Sequence, residues 1–70
     1  MTDTDDTPSV RRTVLELLRQ HPDGVSDDLL VATVADRADA SAFLARTTVG
    51  RLEREGMIYA VGDDWKVTDL

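Results

Sequence analysis

"RLEREGMIYAVGDDWKV", residues 51–67, decides the fold. It opens as the charged end of a helix and stops at Gly56, the residue type that supplies a left-handed turn just past a helix end. Two short runs of strand formers follow, "MIYAV" and "WKVTD", joined by "GDD". Apolar alternation around a short glycine-containing joint reads as a β-hairpin. Ile58 and Ala60 should face one way, and Met57, Tyr59 and Val61 the other, with Trp65 and Val67 sharing a face on the return strand. Asp63 and Asp64 then stand at the hairpin tip. Two of the three aromatic residues of the chain, Tyr59 and Trp65, fall in this hairpin. Both are expected to be partly buried and to hold it on the helices, because aromatic rings supply much of the packing area in a small core.

Upstream of the hairpin, "SAFLARTTVGRLERE" (41–55) reads as a third helix, capped by Asp39 or Ser41, with Ala42, Ala45, Val49 and Leu52 on one face. "RADAS" is the turn before it. "VSDDLLVATVADR" (25–37) reads as a second helix. Ser26 is its cap, and Asp27 and Asp28 complement its positive end. Paired aspartates at adjacent positions of a first turn point different ways, so capping explains them better than metal binding. Leu29, Leu30, Thr33 and Val34 are its expected inward side. Val25, an isolated apolar residue before the cap, suits a short strand pairing with the hairpin. "TPSVRRTVLELLRQHPDG" (7–24) reads as a first helix, capped by Thr7 with Pro8 at the first helical position. Val10, Val14, Leu17 and Leu18 follow the spacing of a buried face, with Leu15 beside them. Pro22 and Gly24 end it. The acidic "MTDTDDT", residues 1–7, has no apolar periodicity and reads as a disordered tail before a folded domain spanning 8–70.

Seventy residues make one small domain. A core of this size contributes about 3–5 kcal/mol of net stability. Without cysteine there is neither a disulfide framework nor a thiolate metal site. The lone His21 sits at a helix end with no cluster of partners, and no phosphate-cradling glycine loop or acid–base pair is present. The sequence therefore points away from an enzyme and implies no cofactor, metal or small-molecule substrate. No apolar run approaches membrane-spanning length, so a soluble, cytoplasmic protein is expected.

The formal net charge is -6, from 14 acidic and 8 basic residues. Eleven of the acids are Asp, and Lys66 is the one lysine against seven arginines. Such heavy use of Asp and avoidance of Lys resembles the proteins of salt-loving archaea. A densely hydrated carboxylate surface stays soluble where salt screens charge repulsion.

The order helix, helix, turn, helix, two-stranded hairpin resembles the winged helix-turn-helix family over residues 8–69. The string "RLEREGMIYAVGDDWKV" carries the resemblance. The "EG-x-IY" step from Glu55 to Tyr59, together with "VSDDLL", also looks like the winged-helix module that closes archaeal minichromosome maintenance helicases. The resemblance implies an α+β winged helix-turn-helix fold: three helices followed by a two-stranded antiparallel wing. It further implies a role in DNA transactions, in transcription or replication, with the third helix in the major groove of double-stranded DNA. Fold alone does not fix function, and helices of this class also dock proteins.

With Ala45, Val49 and Leu52 inward, the opposite stripe of the third helix is Phe43, Thr47, Gly50 and Arg54, flanked by Arg46 and Arg51. Arginine forks onto guanine or phosphate, and Thr47 suits a phosphate or a thymine methyl. Gly50 lets a partner backbone approach closely. The candidate DNA contacts are therefore Arg46, Thr47, Gly50, Arg51 and Arg54, with Lys66 from the wing. The same arginines would form a merely solvated face if they paired with Glu53, Glu55 and nearby Asp. Asp63 and Asp64 would repel phosphate, which favours an alternative: an adaptor that docks a protein through the third helix and the wing. Association as a homodimer stays open.

Overall fold

The structure, a computed structural model, describes residues 6–68. Among these residues the element order is α1 (Asp6–Gln20), β1 (Val25–Ser26), α2 (Asp27–Arg37), α3 (Ala42–Arg54), β2 (Ile58–Val61) and β3 (Asp64–Val67). The fold is α+β: three helices and one small antiparallel sheet. Residues 1–5 of the acidic leading segment lie outside the described residues. α1 begins at Asp6, so Thr7 and Pro8 stand within its first turn. Proline is tolerated there because those N–H groups have no partner inside the helix.

The expected face of α1 is the buried one: Val10, Val14, Leu17 and Leu18 are all in the core. α2 is rotated from its expected phase. Leu30, Val31 and Val34 are buried, whereas Leu29 is 58% exposed and Thr33 only half-buried. Leu29, Leu30 and Val31 are consecutive, so pattern alone fits either of two stripes. Val25 selects between them, because its strand β1 pairs with β3 (Val25↔Trp65, Ser26↔Asp64) and fixes the chain direction immediately before α2 begins. Ser26 caps α2, accepting from the Leu29 N–H at 3.4 Å.

The α2–α3 corner is a Schellman arrangement. Asp39 takes φ 54, the Asp39 N–H donates to Asp36 O at 3.3 Å, and the Ala40 N–H donates to Ala35 O at 2.9 Å. Asp39 thus closes α2, and Ser41 is the cap of α3, accepting from the Leu44 N–H at 3.0 Å. α3 ends in the same way. Gly56 at φ 78 donates to Glu53 O at 3.0 Å, and the Met57 N–H reaches Leu52 O at 3.0 Å. On α3 the buried residues are Ala45, Thr48, Val49 and Leu52. Ala42, expected inward, is exposed, and Thr48 takes a core position instead. Its hydroxyl is satisfied locally, donating to Leu44 O at 2.8 Å, so a buried Thr adds no unpaired polar group.

The sheet has three strands in the order β1-β3-β2: the expected two-stranded hairpin and, on its β3 side, the short strand at Val25. In the β2–β3 pair, Val61 faces Asp64 and Ala60 faces Trp65. The turn is therefore Gly62–Asp63, with Gly62 at φ 63, and Asp64 is the first strand residue, not part of the tip. Ile58 is buried, and Trp65 and Val67 pack partly against the core. Tyr59, expected to be partly buried, is 46% exposed on the outer face of the sheet. Strand alternation makes Ile58 the inward residue and leaves Tyr59 no core to enter.

Candidate nucleic-acid interface

Burial of Ala45, Thr48, Val49 and Leu52 sets the phase of α3, at roughly 100° per residue. The opposite stripe is Phe43, Thr47, Gly50 and Arg54, with Arg46 and Arg51 to either side. Gly50 is half-buried and the other five are exposed, Phe43 by 79%. The structure thus brings five of the expected contact residues, Arg46, Thr47, Gly50, Arg51 and Arg54, onto one accessible face. A Cβ added at Gly50 would meet nothing within 4 Å. The fold does not require glycine there, although glycine weakens a helix interior by about 1 kcal/mol relative to alanine.

The charge balance on α3 favours cations: three arginines against Glu53. Glu55 stands four residues after Arg51, where it would ordinarily pair with it. It instead accepts from Arg11 of α1, Nη1 to Oε1 at 2.9 Å. That is the one ion pair among the described residues. Arg46, Arg51 and Arg54 accordingly have no carboxylate within ion-pair distance there. Arg51 and Arg54 also sit in the last turn, where the helix dipole favours positive charge.

Lys66 lies elsewhere. It pairs across the sheet with Tyr59, on the outer face, and lines a groove with Arg19, Pro22 and Tyr59 that includes no α3 residue. The structure therefore separates Lys66 from the α3 stripe. Its cationic neighbour is Arg19, which sequence spacing could not have associated with it.

The hairpin tip is not a free arm. The Asp27 N–H donates to Asp63 O at 3.1 Å, and the Trp65 indole Nε1–H donates to Asp27 Oδ1 at 2.9 Å. The tip and the start of α2 are tied together, and their aspartates, Asp27, Asp28, Asp63 and Asp64, line one recess with Trp65. Among the described residues, no group of three His, Cys, Asp or Glu side chains is placed to hold a metal ion. No helix there is long and apolar enough to cross a membrane. The molecule thus presents an arginine face on α3 and a carboxylate recess where the hairpin meets α2. Comparison with protein families, curated proteins and solved structures finds no match to this chain, so its function rests on the chemistry of these two surfaces.

Proposed function

We propose that the chain is a DNA-binding winged-helix module that reads double-stranded DNA with α3 and does not grip phosphate with its wing. The observation that carries this reading is the exposed trio Arg46, Arg51 and Arg54, free of carboxylate partners among the described residues in a chain whose net charge is -6. An unpaired guanidinium keeps its donors available for a guanine edge or a phosphate. Thr47 between them suits a phosphate oxygen or a thymine methyl, and Gly50 leaves room for close approach. The four aspartates at the wing tip and the start of α2 repel phosphate. They orient a polyanion toward α3 and restrict the contact to that helix.

The test is titration of labelled duplex DNA at several salt concentrations, with chemical shifts mapped to residues. Replacing Arg51 and Arg54 by Ala should weaken binding, by about 1–3 kcal/mol for each arginine that reads a base. For each arginine that instead neutralises a phosphate, its removal should flatten the dependence of log K on log salt by about 0.9. Asp63→Asn with Asp64→Asn should leave binding unchanged or strengthen it. Unchanged affinity in the folded double arginine variant would remove α3 as the reading element.

A second reading is favoured by Phe43, whose 79% exposure places an aromatic ring in water beside the arginines. In that reading α3 and the wing dock a protein. It forecasts no saturable duplex binding at any salt where the fold survives, and shifts on α3 only when a protein partner is added.

A further inference from the structure

The sheet ladder fixes which backbone groups are free. The Thr68 N–H donates to Met57 O at 2.9 Å, and Val61 and Asp64 flank a two-residue turn. By the alternation of antiparallel pairing, the Met57 carbonyl and the backbone groups of Tyr59 and Val61 turn toward β3, while the Met57 N–H is taken by Leu52 O, and Ile58 and Ala60 point their groups away from β3. On the other side of β3, the Asp27 N–H donates to Asp63 O, which agrees with that parity. β2 is the edge of the sheet, and among the described residues nothing bonds to the outward groups of Ile58 and Ala60. The edge also lacks the usual protection. "IYAV" has no charge, no proline and no bulge, and Met57, Tyr59 and Val61 are 36%, 46% and 47% exposed.

We propose that β2 is the pairing edge of a homodimer, two copies meeting antiparallel, β2 to β2, with Tyr59 on the two-fold axis. The strand determines its own partner. An edge strand is completed by another strand, and the outer-face residues require an uncharged segment with large apolar residues at alternate positions. β2 meets that requirement when turned about the axis through Tyr59. Tyr59 then faces Tyr59 of the second copy in a close, non-hydrogen-bonded pair, and Met57 faces Val61 on each side of it. Ile58 and Ala60 exchange hydrogen bonds with Ala60 and Ile58 of the second copy, about four bonds in all by the antiparallel pattern. The result is one continuous sheet, the three strands of each copy joined, in place of two exposed edges. At the ends of the pair Asp63 approaches the level of Glu55 of the second copy, whose charge Arg11 neutralises within its own chain. The remaining opposition is the net charge of -6 on each copy, which salt screens. Dimerisation therefore strengthens with salt, the opposite sign to phosphate binding. The proposal does not depend on what α3 binds.

Sedimentation equilibrium of the full chain in molar salt, up to millimolar concentration, provides the test. The average mass should climb from 7.7 kDa toward twice that value, and the dimer should weaken in low salt. Amide exchange supplies the residue-level readout. The Ile58 and Ala60 N–H groups should exchange freely in dilute samples and slow by roughly tenfold or more in concentrated ones, while Tyr59 and Val61 stay protected throughout. Tyr59→Lys sets like charges on the axis, and Ala60→Pro removes one outward donor without touching the β3 ladder. Both should be monomeric with parental circular dichroism. If Ala60→Pro fails to fold, Tyr59→Lys at its exposed site decides alone. A parent that stays monomeric across the range overturns the proposal, as does a dimer that survives Tyr59→Lys or one in which the Ile58 and Ala60 amides remain unprotected.

Discussion

Asp27→Ala tests whether the hairpin is held to the helices by the bond between Trp65 and the first turn of α2. The indole N–H donates to Asp27 Oδ1 at 2.9 Å, in a partly buried setting. A hydrogen bond to an ionised group contributes about 1.5–3 kcal/mol, and a carboxylate in a first helical turn about 0.3–1 kcal/mol more. Trp65 is only half-buried, so water recovers part of the loss. Removal of Asp27 also relieves repulsion with Asp28, Asp63 and Asp64, which line the same recess. The net cost should be about 1–2 kcal/mol, a large share of the roughly 3–5 kcal/mol expected of a core this small. In a domain of this length that lowers the melting temperature by about 5–15 °C. Salt screens the repulsion more than the short hydrogen bond, so the destabilisation should be larger in molar salt than in dilute buffer. The assay is thermal denaturation followed by far-ultraviolet circular dichroism, with Trp65→Phe and the double variant completing a cycle. Phenylalanine keeps most of the ring packing and loses the donor, so the coupling should be about 1 kcal/mol. A cycle additive to within about 0.3–0.5 kcal/mol would show that the bond does not hold the hairpin.

Salt should stabilise the fold as a whole. The Asp-rich surface and small core make self-repulsion a large part of a small total, so melting temperatures should rise substantially from low to molar salt, and a flat profile would contradict the reading of the surface as adapted to salt. The glycines should separate by position. Gly24 has φ 105, and a Cβ there would lie 3.1 Å from Asp64 Cβ, so Gly24→Ala should cost about 1–3 kcal/mol and disturb the β1–β3 pairing. Gly50→Ala meets open space and should stabilise by up to about 1 kcal/mol; equal melting temperatures for the two variants would refute the distinction.

Local chemistry is legible in the sequence wherever it acts over a few residues. Ser26 as the cap of α2, Gly56 as the stop of α3, the buried face of α1 and the pairing role of Val25 all follow from side chains acting on nearby backbone or from clean spacing. The exposed stripe of α3 is legible too, since three firmly apolar positions fix a helix's phase. The phase of α2 is not, because Leu29, Leu30 and Val31 offer two equal stripes and only the pairing of β1 with β3 breaks the tie. The exchange of Ala42 for Thr48 depends on Leu44 O satisfying a buried hydroxyl, a contact that hydrophobic pattern does not weigh. The candidate site divides in the same way. Arg46, Thr47, Gly50, Arg51 and Arg54 share one helix, so helical geometry places them together. Lys66, expected to join them as the positive charge of the wing, is set by strand pairing opposite Tyr59 and in a groove with Arg19, away from the α3 stripe; helical spacing within α3 carries no information on that placement. That Glu55 is taken by Arg11, 44 residues away, and that Asp27 is joined to Asp63 through its backbone N–H and to Trp65 through its carboxylate, are long-range facts. They arise when the chain closes on itself, and no local spacing encodes them.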